Sequence, residues 1–145
     1  MKLSNRILIA ALSLGLLCTA AAFSQKQQSD PPAPAKKTVK GLVRDIACPI
    51  QNKESTATRF NLQCARQCAK NGSPLAILTD DGTMYFPISE SMPDKDRREQ
   101  LLPFIGKYVV AVGEVYERSG TRAIVIREIK EDKSVKLNTD AFQSE

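Results

Sequence analysis

The sequence predicts an all-β domain with short helices, built as a small five-stranded antiparallel barrel. Three observations lead to this prediction. Five short stretches rich in β-branched and aromatic residues follow one another, with turn signals between them. Glycines interrupt two of these stretches, at Gly41 and Gly113, as expected where a strand coils sharply to close a barrel. Asp80-Asp81-Gly82 indicates a tight turn between two neighbouring strands.

The first predicted strand covers residues 38–46, and a helix that carries two cysteines follows it. Pro49 cannot donate to a strand ladder and therefore ends the first strand. The helix is expected over residues 61–70, with Asn61 as its N-cap. Asn71-Gly72 is a stop signal for a helix. The sequence thus predicts a cysteine-bearing helix between strands one and two.

Four more strands and a second helix complete the prediction. The strands are expected at residues 74–79, 83–86, 107–117 and 121–129. The second helix is expected over residues 92–102, because Pro93 suits the first helical position, and it lies between strands three and four. A five-stranded barrel with a helix at this place is the arrangement of the OB-fold. We therefore expect an OB-fold-like domain over residues 39–131.

The amino-terminal 24 residues have the features of a secretory signal peptide. Lys2 and Arg6 form a short positive region, and an apolar run over residues 7–17 follows. Small residues then allow cleavage after Ser24 or after Ala22. The apolar run is too short for a typical membrane span. We expect a periplasmic or secreted protein with no transmembrane segment once the signal is removed.

Polar segments flank the predicted domain on both sides. Residues 25–38 are polar and rich in proline, which predicts a disordered linker. Residues 132–145 contain few apolar side chains and are expected to form a flexible tail. A lipid anchor attached to Cys18 is an alternative, because exported proteins can carry a lipid-modified cysteine near the signal peptide. The bulky Leu17 before Cys18 disfavours this alternative. Cys18 is therefore interpreted as a residue of the apolar part of the signal peptide.

Charge and composition limit the functions that the chain can have. The formal net charge is +5, and its basic residues alternate with acidic ones instead of forming a stripe. A nucleic-acid partner is therefore not expected. The chain has no histidine, which excludes catalytic triads that depend on a histidine base. We find no other catalytic motif, so the sequence favours a non-enzymatic protein.

Three cysteines, Cys48, Cys64 and Cys68, remain after removal of the signal peptide. An exported protein meets oxidising conditions, which favour a disulfide. Cys64 and Cys68 lie one helical turn apart, with Cβ atoms roughly 5–6 Å from each other, which is too far for a bond between them. The first interpretation is therefore a disulfide from Cys48 to Cys68, with Cys48 to Cys64 as the alternative.

A metal site is the second interpretation of the same cysteines. Two thiolates one helical turn apart can bind one ion, and Cys48 can complete a set of three ligands. Thiolates favour Cu(I) or Zn. Asp45 is a possible oxygen ligand, although a turn carboxylate explains it as well. A thiol-redox role is a third possibility, but the spacing differs from the Cys-x-x-Cys of disulfide oxidoreductases.

Four aromatic residues on the predicted strands could form a binding face on the barrel, where OB-folds take oligonucleotides or oligosaccharides. They are Tyr85, Phe86, Tyr108 and Tyr116. Aromatic side chains on strands more often belong to the core. The sequence thus predicts a secreted binding or structural module stabilised by its cysteines, with an extracytoplasmic metal-binding or thiol-redox protein as the alternative.

Several short motifs of the chain occur together in a known group of proteins. They are Gly41-x-Val43-x-Asp45-x-x-Cys48, Cys64-x-x-x-Cys68-x-x-x-Gly72, Asp81-Gly82, Gly106-Lys107-x-Val109 and Val112-Gly113. In these motifs the chain resembles small secreted bacterial proteins of OB-fold type whose function is uncharacterised. The resemblance covers most of the mature domain and implies a fold but no particular activity. Members often have a histidine near the first cysteine, and this chain has none.

Overall fold

The computed structural model describes residues 33–142. The predicted signal peptide, Cys18 and most of the predicted linker lie outside this range, as do the last three residues. The strands are β1 (Ala35–Asp45), β2 (Leu75–Leu78), β3 (Met84–Pro87), β4 (Tyr108–Arg118) and β5 (Thr121–Glu131). They form a closed barrel in the order β1-β2-β3-β5-β4, and β4 pairs again with β1. The prediction of a five-stranded β-barrel is therefore confirmed.

The prediction that all neighbouring strands are antiparallel is wrong for one pair. β3 and β5 run parallel, with Tyr85 opposite Arg122 and Pro87 opposite Ile124. The other four pairs of neighbours are antiparallel. A closed ring of five strands cannot alternate in direction all the way round, because five is an odd number. At least one parallel pair is therefore required for closure.

β1 connects two parts of the barrel, because it pairs with β4 over residues 35–42 and with β2 over residues 42–45. It begins at Ala35, which lies inside the predicted linker. The two predicted strand glycines lie where backbones approach closely. A side chain at Gly41 would collide with the carbonyl group of Leu78, and one at Gly113 with that of Val125. The register of β4 against β5 shifts between Val112 and Gly113, which marks a local irregularity of the ladder.

Two helical segments lie between β1 and β2. The helix α1 (Ala47–Gln51) was not expected, because Pro49 was interpreted only as the end of a strand. Proline is compatible with the first turn of a helix, where its missing N–H is not needed. The helix α2 (Leu62–Lys70) is the predicted cysteine-bearing helix, and it follows Asn61 as expected.

The helix between β3 and β4 is present but shorter than predicted. It consists of α3 (Arg98–Leu101) and a 3-10 turn at Leu102–Phe104. The expected helix over residues 92–97 does not form, because side chains there bind backbone groups in other ways. Asp94 Oδ1 accepts hydrogen bonds of 2.7 Å from both the backbone N–H and the hydroxyl of Ser89. Asp96 Oδ1 accepts from the N–H of Arg98 at 2.8 Å, at the start of α3.

Two hydrophobic cores lie on opposite faces of β1 and β2. We call the residues inside the barrel the inner core: Val39, Val43, Ala69, Leu75, Ile77, Leu101, Val109, Ala111, Val115, Ile124 and Ile126. We call the second cluster the outer core: Leu42, Ala57, Phe60, Ala65, Leu78 and Tyr108. Neighbouring residues of a strand point to opposite faces, so the same strands supply both cores.

The segment after β5 packs against the outer core. Val135 and Leu137 contact this cluster, and Ala141 is buried. The carbonyl group of Asn138 accepts from the N–H of Phe60 at 2.9 Å, and that of Thr139 accepts from the N–H of Leu62 at 2.8 Å. The described part of the predicted tail thus lies against the start of α2, and the packed structure continues past residue 131.

Candidate metal centre

Three cysteine sulfurs from two helices meet at one place beside the end of β1. Cys48 lies on α1, and Cys64 and Cys68 lie on α2. The three Sγ atoms are all within 4.8 Å of one another, and those of Cys48 and Cys64 are 3.3 Å apart. All three are free thiols that are partly buried. Within residues 33–142 they form the one group of three or more His, Cys, Asp or Glu ligand atoms at such distances.

Asp45, the last residue of β1, fixes the position of Cys48. Its Oδ1 accepts a hydrogen bond of 3.1 Å from the backbone N–H of Cys48, three residues later. A side chain that accepts from the third following N–H is the usual way to satisfy the start of a helix. The carboxylate is fully buried, so this bond is shielded from water. Asp45 therefore anchors the first turn of α1 to the end of the barrel.

The same spacing recurs at Cys64, where Asn61 is the accepting residue. The backbone N–H of Cys64 donates to Asn61 Oδ1 at 2.8 Å, which confirms the predicted N-cap. At the other end of α2, the N–H of Gly72 donates to the carbonyl of Ala69, and the N–H of Ser73 to that of Cys68. This pair of bonds closes a helix that ends at a glycine. Both ends of the two-cysteine helix are thus fixed by local bonds.

A buried ion pair lies directly behind Cys48. Arg44 Nη2 is 3.4 Å from Asp45 Oδ2, and the two side chains are 1% and 0% exposed. The guanidinium also donates to Ser55 Oγ at 2.7 Å and lies 5.7 Å from the centre of the Phe60 ring. Removing two charges from water is costly, so such a pair persists only where other bonds hold it. Arg44 connects the loop before α2 to the residue that anchors Cys48.

Burial and a nearby negative charge keep two of the thiols protonated. Burial, the hydrogen bond with Cys64 and the negative charge of Asp45 raise the pKa of Cys48 to about 11. Burial and the same carboxylate also raise the pKa of Cys68. Only a thiolate is a good nucleophile or metal ligand. These thiols are therefore poor nucleophiles at neutral pH, which disfavours a thiol-redox enzyme, and a metal ion must displace their protons.

The distance between the sulfurs of Cys48 and Cys64 lies between that of a disulfide and that of two ligands of one metal ion. Sulfurs bonded to one ion at about 2.3 Å lie about 3.8 Å apart in a tetrahedral site and about 4.0 Å apart in a planar one. A disulfide needs about 2.05 Å. The contact between Cys48 and Cys64 is 3.3 Å, and Cys68 lies within 4.8 Å of both. The bridge between Cys48 and Cys68 stays a prediction.

The other sequence candidates lie apart from the sulfurs or from one another. Both oxygens of Asp45 accept from protein donors, and neither belongs to the group of ligand atoms that the three sulfurs form. Tyr85 packs against the inner core, whereas Tyr108 belongs to the outer core. Phe86 is partly buried, and Tyr116 is exposed. These four residues therefore do not form one binding face, and Tyr85 and Tyr108 pack in the cores instead.

Tyr108 has a partner of its own in the turn between β2 and β3. Its hydroxyl donates to Asp80 Oδ2 at 2.8 Å. Burial, this hydrogen bond and the negative charge of Asp80 raise the pKa of Tyr108 to about 12. Tyr108, a candidate for ligand binding in the sequence, therefore connects the β2–β3 turn to β4 through this hydrogen bond.

The sequence contained a signal for one of the residues that support the cysteines. Asp45-x-x-Cys48 has the same spacing as Asn61-x-x-Cys64, which was interpreted correctly as a helix cap. Arg44 carries no comparable signal, because a charged residue in a strand is normally exposed. Its burial depends on the loop that folds over it.

Comparisons of the chain with protein-family models, with curated proteins and with solved structures find no match. Among the described residues, no helix has the length and apolar character that crossing a membrane requires. The case for a function therefore depends on the geometry of the chain itself.

Proposed function

We propose that this protein is an exported, non-enzymatic binding module whose three-cysteine cluster holds one soft metal ion. The observation that carries the proposal is the position of Cys48, Cys64 and Cys68, whose sulfurs lie within 4.8 Å of one another. A disulfide would account for two of these residues and leave the third without a role. A metal ion bound by three thiolates accounts for all three.

The surroundings of the sulfurs support this use. Cys48 and Cys64 are each held by a side chain three residues earlier, through bonds of 3.1 and 2.8 Å. Supporting bonds of this kind orient metal ligands and reduce the cost of bringing them together. The sulfurs are only partly buried, so an ion can reach them from solvent.

Fold type and location are parts of the proposal. The strand order β1-β2-β3-β5-β4 and the helix between β3 and β4 support an OB-fold-type barrel, which is a five-stranded Greek-key barrel. The apolar run over residues 7–17, with Lys2 and Arg6 before it, supports export to the periplasm or the medium.

Metal titration tests the proposal. The full chain is expressed, and the protein is purified and reduced without oxygen. It is then titrated with Zn(II) or Cu(I), and bound metal is counted by native mass spectrometry. We expect one ion per chain. Replacing Cys48, Cys64 or Cys68 by alanine should reduce the bound metal strongly, whereas Gln63→Ala, at an exposed position of the same helix α2, is the matched control and should not. Absence of stoichiometric binding of either ion would refute the proposal.

A disulfide between Cys48 and Cys64 is the second candidate, and their 3.3 Å contact favours it. Export would expose the pair to oxidants. The two residues are sixteen positions apart, and a loop of that size gives about 3 kcal/mol of stability. Peptide mapping of unreduced protein checks this candidate. A Cys48–Cys64 peptide and one free thiol support a structural staple, whereas three free thiols exclude it.

A further inference from the structure

The number of protein ligands in the cysteine cluster decides which soft ion has its coordination number filled there. We infer that the cluster selects Cu(I) over Zn(II). The fold brings three thiolates together, and among residues 33–142 it places no fourth protein ligand beside them. This inference rests on the proposed function and specifies the ion for that same site. Protein-bound zinc is almost always four-coordinate, whereas Cu(I) is among the soft ions that thiolates select.

Among residues 33–142, no ordinary fourth ligand lies beside the sulfurs. The chain has no histidine, which is the usual partner of cysteine in zinc sites. Within residues 33–142, no carboxylate belongs to the cluster of ligand atoms. Zn(II) would therefore have to complete its coordination with water or with a ligand from outside the protein.

Asp45 is the acidic residue that could have supplied an oxygen, and the fold holds it in another role. Its Oδ1 accepts from the N–H of Cys48, and its Oδ2 accepts from Arg44 at 3.4 Å. Turning towards the sulfurs would break both bonds and leave the buried guanidinium of Arg44 without its countercharge. An unpaired buried charge is strongly destabilising, so Asp45 stays out of the site.

The negative charge of Asp45 near the sulfurs is offset in part. A negative charge would favour a divalent ion over a monovalent one. Arg44 lies against Asp45, and both side chains are almost fully buried, so the positive guanidinium offsets part of that charge. The sulfur spacing does not distinguish the two ions. The distances run from 3.3 Å to at most 4.8 Å, which includes both the about 3.8 Å of a tetrahedral site and the about 4.0 Å of a planar one.

Competition between the two ions tests the inference. Reduced protein purified from the full chain is loaded with one equivalent of Zn(II) without oxygen and then titrated with Cu(I). A zinc-sensitive dye reports the released zinc, and X-ray absorption at the copper edge gives the coordination number. We expect one equivalent of Cu(I) to release one equivalent of Zn(II), and copper to have three sulfur neighbours. Gln63→Ala, at an exposed position of α2, is the matched control and should behave like the wild type.

The other outcomes separate the inference from the proposed function. Zn(II) that stays bound against one equivalent of Cu(I) would overturn the inference and leave metal binding intact. Copper with only two sulfur neighbours would also overturn it, because the third thiol would then have no part in selection. If neither ion binds, both the inference and the proposed function fail. Circular dichroism of each preparation confirms that the barrel is folded during the measurement.

Discussion

The inner core and the outer core contact the same two strands but are built differently. The inner core consists mainly of apolar side chains that alternate along the strands, such as Val43 and Ile77, and Ala69 of α2 and Leu101 of α3 complete it. The outer core lies beside buried polar groups, because Arg44 packs over Phe60 and binds Ser55. Apolar burial is not directional, whereas hydrogen bonds and ion pairs are. The inner core can therefore form a barrel, but the outer side is needed to place the cysteines.

This difference predicts two kinds of mutational effect. A substitution in the inner core should lower the stability of the whole domain and leave the arrangement of the sulfurs unchanged in the molecules that remain folded. A substitution on the outer side should change both stability and the properties of the cysteine cluster. Comparing the free energy of unfolding with metal affinity for each variant distinguishes the two regions.

The largest effect is expected from Arg44→Met. This change leaves Asp45 buried without its partner, and breaking a buried pair in this way costs about 4 kcal/mol. Urea unfolding measures the loss in stability, and metal titration should show weaker binding at the same time. Arg127→Met is the matched control, because Arg127 pairs with Glu90 and Glu114 on the exposed surface. That control should lose less than about 1 kcal/mol. Equal losses in both variants would contradict the comparison.

Ile77→Ala tests the inner core and should cost about 3 kcal/mol, because it leaves a cavity where a fully buried side chain was. We expect the metal affinity of the folded protein to remain unchanged, measured well below the unfolding temperature. Ile50→Ala is the matched control, since Ile50 is 63% exposed and should change stability by less than about 0.5 kcal/mol. A marked loss of metal affinity in Ile77→Ala would show that the two regions are not separable.

Much of the barrel could be predicted from the sequence because its determinants are local. Alternating apolar residues, strand glycines and the turn at Asp80-Asp81-Gly82 each depend on neighbouring positions. The parallel pairing of β3 with β5 depends on the closure of the ring, which no single strand reveals. α3 is short because Asp94 accepts a hydrogen bond from Ser89, and this bond competes with the helix over residues 92–102 that Pro93 predicted.

The cysteine cluster was predictable in part for the same reason. Cys64 and Cys68 share a helix whose N-cap, Asn61, is visible in the sequence. Cys48 was expected nearby because it follows the first strand. The burial of Arg44 could not be foreseen, since it requires the loop with Ser55 and Phe60 to fold over the outer side of β1. Long-range packing of this kind has no periodic signal in the chain.

Tyr108→Phe tests a single hydrogen bond of the outer core. The change removes the hydrogen bond to Asp80, with a loss of about 1.5 kcal/mol near neutral pH. The folded pKa of Tyr108 is about 12, above the usual 10. The folded protein therefore holds this proton more tightly than the unfolded chain, and the contribution to stability is complete below pH 10. It is lost as the pH rises towards 12.

Urea unfolding at pH 8 and at pH 11.5 measures this dependence. The difference in stability between the wild type and Tyr108→Phe should shrink at the higher pH. Tyr116→Phe is the matched control, because Tyr116 is exposed and should show almost no difference at either pH. A difference for Tyr108→Phe that is constant with pH would show that its proton is not held more tightly in the folded state.

The smallest effect on stability is expected from Asn61→Ala, and it separates the placement of the sulfurs from the packing around them. The change removes the bond to the N–H of Cys64 and should cost about 1 kcal/mol. Because the first turn of α2 then loosens, metal affinity should fall while one ion per chain still binds. Asn61→Asp keeps an accepting oxygen and should restore stability.

Asn52→Ala is the matched control for this last change. Asn52 Oδ1 also accepts from a backbone N–H, that of Glu54 at 3.0 Å, but in an exposed loop instead of at the start of α2. We expect this control to change stability by a few tenths of a kcal/mol and to leave metal affinity unchanged. If Asn61→Ala lowers stability without lowering affinity, the cap supports only the helix. The sulfurs would then owe their positions to Asp45 and to the packing of α2 against β1.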